Sequence, residues 1–284
     1  MSPEGQVPEP LDQSERTAAK TIGAALPDHF ALAFLAFNLA GETAMQVPDD
    51  ERRQTDLAMK VTGHLLLRVS DDLRAASMAA RHGYPLQSAG LVAGLWELAL
   101  TTIHVGRDQE RAQVRVDHMK PTSTPWRPQD LCQTFVDRVK LVQPEGAASR
   151  LYRVYTQLCM AKHGHPQLQM QHVDTSEPGV IGVKNGPDTS DRALRTIAFA
   201  LVHGVRLTLL AQGQFVYDHL PKNATTIDLL ETRKRLDSRA QDLTTEAAAR
   251  WAGADPFPGK WWEPLRGQVE RGAVDLGGSE GGRD

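Results

Sequence analysis

The residues best suited to chemistry lie in one predicted helix, residues 146–163, which contains the sequence LYRVYTQLCMAKH. At 3.6 residues per turn, Tyr152, Tyr155, Cys159 and His163 fall within a stripe about 80° wide. In a pocket wall, the histidine could act as a general base and the tyrosines could donate hydrogen bonds to a ligand. The simpler interpretation is amphipathic packing, in which each hydroxyl finds a backbone or water partner.

A carboxylate, Glu97, occurs on a largely apolar face of a second predicted helix, residues 86–105. The residues that project within roughly 60° of it are Leu86, Gly90, Ala93, Leu100 and His104. A carboxylate buried on such a face must be paired or protonated. Arg195 and Arg206 of a later helix could supply the partner. The sequence therefore allows either a structural Glu97–Arg206 bridge or a site built from Glu97, His163 and an arginine.

The candidate site residues follow from these two helices. The catalytic candidates are Glu97 and His163, and the ligand-binding candidates are Tyr152, Tyr155, His104 and Arg206. The HGH sequence at 163–165 offers two histidines, but no third ligand is placed, so we expect no metal site. We also expect no cofactor, because the chain has no glycine-rich nucleotide loop, Walker A sequence, nucleophile elbow, H-E-x-x-H sequence or EF-hand loop.

Around these residues, the sequence predicts a mostly α-helical protein. Helical periodicity recurs over residues 21–47, 56–81, 86–105, 128–142, 146–163, 190–217 and 225–251. Residues 165–190 alternate instead and contain TSEPG, which is typical of a hairpin or an irregular flap. No repeat and no βαβ alternation is visible. The predicted fold is a multi-helix bundle with a small β-hairpin or flap insertion.

The predicted domain organisation is simple. Residues 1–20 carry prolines without apolar periodicity and read as a flexible leader. Residues 21–252 form one helical domain that contains the 165–190 insertion. Residues 253–284 form a tail that is aromatic at first and then rich in glycine and charge, and Trp261 and Trp262 could pack back onto the body.

Composition limits the partners. A net charge of −3 and 24% charged residues argue against a broad nucleic-acid-binding surface.

The N-terminus has no signal-peptide pattern, and two cysteines are too few for a disulfide framework, which favours a cytoplasmic protein. The apolar runs at 30–40 and 91–103 are short for a bilayer, so we expect core helices and no membrane partner. The excess of arginine over lysine, with abundant alanine, suggests a GC-rich bacterial genome.

Two sequence stretches resemble a family of helical bacterial proteins known only as a domain of unknown function. The first is DDLRAASMAARHGYPLQSAGLVAGLWELAL, and the second is YTQLCMAKHGHP, which is similar to the family's Tyr-x-x-Leu-Ser-x-x-x-His helix. Tyr155, Leu158 and His163 match, and Cys159 stands where serine is usual. The arginine that commonly lies four residues before the glutamate is Ala93 here. The resemblance, over residues 70–105 and 150–166, implies a helical fold and no established activity.

A ribonuclease is one alternative function. Small helical ribonucleases and toxins of the HEPN class resemble this architecture and use an arginine followed, after four to six residues, by a histidine. Arg111 and His118 have that spacing. Ala112 follows the arginine, where a polar residue is usual, and ten histidines make a chance match common. The alternative is thus an effector of bacterial defence that cleaves RNA.

The leading functional prediction is a cytoplasmic helical protein in which Glu97, Tyr155 and His163 line a polar pocket. That pocket would bind a small molecule or a protein partner, or would serve as a structural network. A second alternative is a scaffold that forms homo-oligomers through the charged helix at 225–251.

Overall fold

The computed structural model describes residues 11–46, 56–118, 125–139, 146–163, 173–174, 182–183 and 186–252. The helices within these residues are α1 (Leu11–Ala25), α2 (Pro27–Met45), α3 (Leu57–Arg81), α4 (Pro85–Val105), α5 (Gln109–Asp117), α6 (Pro128–Val139), α7 (Ala147–Lys162), α8 (Asp191–His219) and α9 (Ala224–Arg250). The mostly α-helical class is confirmed.

The predicted β-hairpin or flap insertion was wrong. The described part of 165–190 contains only two-residue segments, β1 (Val173–Asp174) and β2 (Gly182–Val183), which pair antiparallel with Val173 opposite Val183. Two residues on each side are too few for an independent sheet, because even a longer two-stranded hairpin is only marginally stable in water. Most of the remaining residues of 165–190 lie outside the described ranges.

Local sequence explains where the helices begin. Polar side chains accept the first free backbone N–H groups of four helices, namely Asp56 for α3, Asp108 for α5, Ser190 for α8 and Asn223 for α9. Proline occupies the first position of α2, α4 and α6, where its missing N–H costs no hydrogen bond. Helix α5 lies in the charged stretch for which the sequence predicted no helix.

Helices α4 and α8 form the centre of the bundle. Helix α4 packs against α3, α6, α7 and α8, and α8 also packs against α2, α3 and α9. Gly204 of α8 permits close packing, because a Cβ atom there would lie 3.0 Å from Leu73 of α3 and 3.3 Å from Val92 of α4. Trp96 of α4 is fully buried within the largest apolar cluster. This central pair fixes the positions from which the other helices present their side chains.

The turn between α3 and α4 depends on Gly83, whose φ of 87° favours glycine. The carbonyl of Gly83 accepts a hydrogen bond from the backbone N–H of Asp188 at 2.8 Å. The next residue, Tyr84, donates its hydroxyl to Glu15 of α1 at 2.6 Å.

Helix α1 begins at Leu11 and so occupies the second half of the predicted leader 1–20. Residues 1–10 and 253–284, which include Trp261 and Trp262, lie outside the described ranges.

Within the described residues, two helices, α4 and α8, are long and apolar enough to cross a membrane by length and composition, and the bent α1–α2 pair would add a third. The apolar run 91–103 counted from the sequence is shorter than α4, which contains it and has 21 residues. Helix α8 has 29 residues and contains neither of the two runs. In each of the two long helices, 72% of the qualifying segment is buried inside the bundle. An apolar helix has the same composition whether it is buried in a protein core or in lipid. The cytoplasmic location therefore stays a prediction.

Candidate functional site

Glu97 belongs to α4, and its side chain accepts two hydrogen bonds from α7. The hydroxyl of Tyr155 donates to Glu97 Oε1 at 2.8 Å, and Nζ of Lys162 donates to the same oxygen at 2.9 Å. The Glu97 side chain is 18% exposed and the Lys162 side chain 33%. A carboxylate that is largely withdrawn from water is stabilised by such charge-assisted bonds. We call Glu97, Tyr155 and Lys162 the Glu97 cluster.

Aromatic rings and a thiol surround the Glu97 cluster. The Tyr155 ring stacks on Trp96 with centroids 4.2 Å apart, and the Tyr152 ring lies 6.0 Å from that of Tyr155. Burial first, and then hydrogen bonding to Cys159 and Glu97, raises the pKa of Tyr155. Burial also raises the pKa of Tyr152 and that of Cys159. These groups therefore stay protonated at neutral pH and supply no activated nucleophile.

His163 does not join Glu97 as predicted from the helical wheel. Helix α7 ends at Lys162, and the His163 side chain is exposed at the C-cap. A Cβ atom at Gly90 would lie 3.3 Å from the Lys162 Cα, so the end of α7 lies against α4 about two turns before Glu97. The longer lysine side chain reaches back along α4 to the carboxylate. Helical periodicity gives an angle around α7 but not the place where α7 crosses α4.

His104 occupies a separate, structural environment at the C-terminal end of α4. It is 6% exposed, its Nδ1 lies 2.8 Å from the Thr134 hydroxyl of α6, and its ring lies 4.6 Å from that of Trp126. Burial, with a smaller contribution from nearby arginines, lowers the pKa of His104 to about 4. Seven residues separate it from Glu97, about 10 Å along the helix, so the two do not share a site.

Arg206, the predicted partner of Glu97, and Arg111, the arginine of the nuclease alternative, both pair with aspartates. Arg206 lies 3.9 Å from Asp237 of α9, with 40% of its side chain exposed, while Glu97 takes Lys162 instead of an arginine. Arg111, the arginine of the nuclease alternative, pairs with Asp108 at 3.2 Å and donates to the His104 carbonyl at 2.9 Å. Its guanidinium therefore helps to close the end of α4.

A cavity between α8 and α9 is the feature that the sequence analysis missed. Its volume is about 240 Å³, and its lining residues are Arg195, Ala198, Phe199, Val202, His203, Thr244, Ala247, Ala248 and Trp251. Arg195, Phe199 and His203 follow one another at intervals of four residues, so they lie along one face of α8. That spacing is the signal by which the sequence could have indicated this site, which we call the α8–α9 cavity.

Two basic side chains lie among the apolar walls of the α8–α9 cavity. Arg195 is 17% exposed, and its Nε lies 3.7 Å from Asp191, farther than a hydrogen bond. Asp191 accepts instead from the Trp251 indole N–H at 2.9 Å. Burial, followed by the charge of Arg206, lowers the pKa of His203 to about 4, and its ring lies 4.4 Å from that of Phe199. At neutral pH the cavity thus holds one cation and one neutral imidazole.

The chain matches no protein-family model, no curated protein and no solved structure. The resemblance to an uncharacterised helical family therefore stays a prediction, and no relative supplies a function. Two places in the bundle combine polar and aromatic groups, the Glu97 cluster and the α8–α9 cavity. In the first, the polar groups bond to one another, whereas the second leaves space for a ligand.

Proposed function

We propose that this chain is a non-catalytic binding protein whose α8–α9 cavity takes a small molecule with a flat apolar part and an anionic group. The observation that carries the proposal is Arg195, a largely buried guanidinium in the wall of an otherwise mostly apolar cavity. Binding sites for small molecules commonly combine apolar walls with a few polar groups that fix orientation. We keep the cytoplasm as the proposed location.

The size and walls of the cavity favour a small planar aromatic group with a short substituent. Its volume is about 240 Å³, compared with roughly 150 Å³ for an apolar cavity that binds benzene. Phe199 and Trp251 supply aromatic surfaces, and Val202 supplies an aliphatic one. Planar ligands gain from contact with such surfaces through apolar burial and ring–ring interaction.

Arg195 and His203 specify the charge of the ligand. A guanidinium can donate two parallel hydrogen bonds to a carboxylate, and a weakly hydrated cation loses little on leaving water. The nearest acid, Asp191, is 67% exposed and hydrogen-bonded to Trp251, so it satisfies Arg195 incompletely. The neutral imidazole of His203 can donate or accept one further bond. An aromatic carboxylate fits this set of groups.

Binding is favoured over catalysis by the state of the other reactive groups. Burial raises the pKa of the Cys132 thiol to about 12 and also raises that of Cys159. A protonated, buried thiol is a poor nucleophile. Glu97 is held by two donors from α7, which suits a structural connection between α4 and α7. The two thiols are protonated and the carboxylate is hydrogen-bonded, so we infer that these groups serve the packing of the bundle.

The test is calorimetric titration with benzoate and indole-3-acetate, each compared with an uncharged analogue, benzamide or indole-3-ethanol. We expect the carboxylates to bind and the amide and the alcohol to bind at least about tenfold more weakly, a loss of about 1.4 kcal/mol. Arg195→Met should remove that preference. Val202→Trp, which fills the cavity, should abolish binding of both classes.

Arg206→Met is the matched control, because Arg206 lies on the same helix and pairs with Asp237 outside the cavity lining. It should leave both the affinity and the preference for carboxylates unchanged. Equal binding of charged and uncharged probes, or binding by the Val202→Trp variant, would contradict the proposal.

A further inference from the structure

The outer surface of α2 and the start of α9 expose large apolar side chains. The exposed fractions are 57% for Phe34, 50% for Leu35, 76% for Met45 and 60% for Ile227. Phe34, Leu35 and Met45 fall within about 100° of one another around α2. Single exposed apolar residues are ordinary, but a contiguous group marks an interaction surface. We call these four residues the α2–α9 face.

Helices α2 and α9 run antiparallel, so the two ends of the face can be aligned. Asp28 near the start of α2 pairs with Arg239 of α9, and a groove farther along α2 is lined by Leu39 and by Leu236. The same direction of pairing brings the end of α2, with Met45, toward the start of α9, with Ile227. The exposed residues of both helices therefore belong to one continuous surface.

The groove in the middle of this surface carries one acidic and one basic side chain. Its volume is about 460 Å³, and Leu35, Glu42 and Arg235 contribute to its lining. Glu42 and Arg235 are both exposed. No ion pair joins either of them to another residue in the described part of the chain, and Arg235 donates only to the Thr232 hydroxyl, at 2.9 Å. The groove thus offers an unpaired carboxylate and an unpaired guanidinium beside apolar side chains.

We infer that the α2–α9 face binds a second copy of this chain in a two-fold symmetric dimer. In such an interface both copies contribute the same patch, so every contact between two different residues occurs twice, once in each direction. Glu42 of one copy then pairs with Arg235 of the other, twice, while Phe34 and Leu35 of both copies are buried together. A second copy of the chain satisfies both groups, because it presents an acid and a base in the same arrangement.

The charges also argue against a lipid surface as the partner. Peripheral membrane helices place lysine and arginine around the apolar face, where they meet anionic headgroups. The α2–α9 face carries Glu42 in its groove, and Asp228 and Glu231 are exposed beside Ile227. These carboxylates would be repelled by the headgroups.

The test is the mass of the full chain by light scattering and sedimentation equilibrium over a range of concentrations. We expect twice the mass of the chain, with Leu35→Glu shifting the protein to the monomer. Glu42→Arg and Arg235→Glu should each weaken the dimer by at least about tenfold. The double variant, which exchanges the two charges, should restore it, because the pairs are re-formed with reversed sign.

Met78→Glu is the matched control, since Met78 is 57% exposed on α3 and is not part of the face; it should leave the dimer intact. Circular dichroism checks that each variant is folded. A monomer at every concentration, a dimer that Leu35→Glu leaves unchanged, or a double variant as weak as the single ones would overturn the inference. So would binding of the wild-type monomer to phosphatidylserine vesicles that Leu35→Glu abolishes.

Discussion

The Tyr155 hydroxyl and the Lys162 ammonium group donate to one oxygen of Glu97, at 2.8 and 2.9 Å. Both donors come from α7 and the acceptor from α4, so this arrangement is a direct polar connection between the two helices. Trp96, stacked on Tyr155, adds an apolar contact at the same place. The arrangement predicts that Tyr155 contributes to stability through its hydroxyl as well as its ring.

Tyr155→Phe keeps the ring contact with Trp96 and removes one donor to Glu97. We expect a loss of about 1–2 kcal/mol in the free energy of unfolding, because a hydrogen bond to a charged group is removed in a partly buried place. Urea denaturation measures the loss. Tyr217→Phe, at a tyrosine that is 61% exposed, should change stability by less than about 0.5 kcal/mol. Equal losses for the two substitutions would contradict a contribution of the Tyr155 hydroxyl to stability.

Two glycines in the central helices should respond oppositely to alanine. At Gly94 of α4 nothing lies within 4 Å of the added Cβ, whereas at Gly204 of α8 it would lie 3.0 Å from Leu73. Gly94→Ala should stabilise the chain by up to about 1 kcal/mol through helix propensity. Gly204→Ala should destabilise it by about 1–2 kcal/mol, because overpacking outweighs propensity. Thermal unfolding of both variants in the same buffer shows whether the midpoint rises for Gly94→Ala and falls for Gly204→Ala.

The pKa of His104 predicts a dependence of stability on pH. Burial lowers its pKa in the folded state to about 4, from 6.5. Between these two values the unfolded chain binds more protons, so stability rises with pH across this window and is lost as pH falls from 6.5 toward 4. The upper limit of this loss is about 3 kcal/mol, at 1.36 kcal/mol for each unit of pKa.

The check is urea denaturation of His104→Gln at several pH values. The variant should show a shallower decrease of stability between pH 6.5 and 4 than the wild type. His64→Gln, at an exposed histidine of α3, should keep the wild-type slope. An unchanged slope in His104→Gln would show that His104 does not titrate in the way proposed.

Arg138 closes the C-terminal end of α4, where backbone carbonyls lack helical partners. It donates to the Ile103 carbonyl at 2.7 Å, and its side chain is 28% exposed. Arg138→Met should therefore cost about 1–2 kcal/mol, since a partly buried carbonyl loses a charged donor. Arg107→Met removes a bond of the same length to the Tyr217 carbonyl, but from a side chain that is 67% exposed. Chemical denaturation should show a much smaller loss there.

The sequence was sufficient for most of the helices. Helices α3, α4, α6, α7, α8 and α9 were placed within a few residues because each has an apolar period and a proline, glycine or capping residue near its ends. The predicted stretch 21–47 is instead divided between α1 and α2, and α1 begins ten residues earlier, at Leu11. Helix α5 was missed because, in its nine residues, only Ala112 is buried, so almost no apolar period exists. The hairpin was wrong because alternation over a few residues does not guarantee a partner strand with a packed face.

The candidate site was harder to predict than the fold. Tyr155 of the predicted stripe does face α4, where it donates to Glu97, and the Tyr152 ring lies beside it. His163 does not join Glu97, since the position along the axis at which two helices cross is not contained in the period of either. The α8–α9 cavity is a product of two surfaces that leave space between them. A single helix period indicates which residues face a neighbour, but not whether the neighbour fills the gap.

Helix α7 is held differently from the central helices. It packs mainly on α4 and α6, most of its residues are only half-buried, and its polar connection to α4 is the Glu97 cluster. Its amide protons should thus exchange with solvent through a local opening that leaves α3, α4 and α8 folded. In that open form Trp96 would meet water, so its fluorescence would report the detachment of one helix before the bundle as a whole is lost.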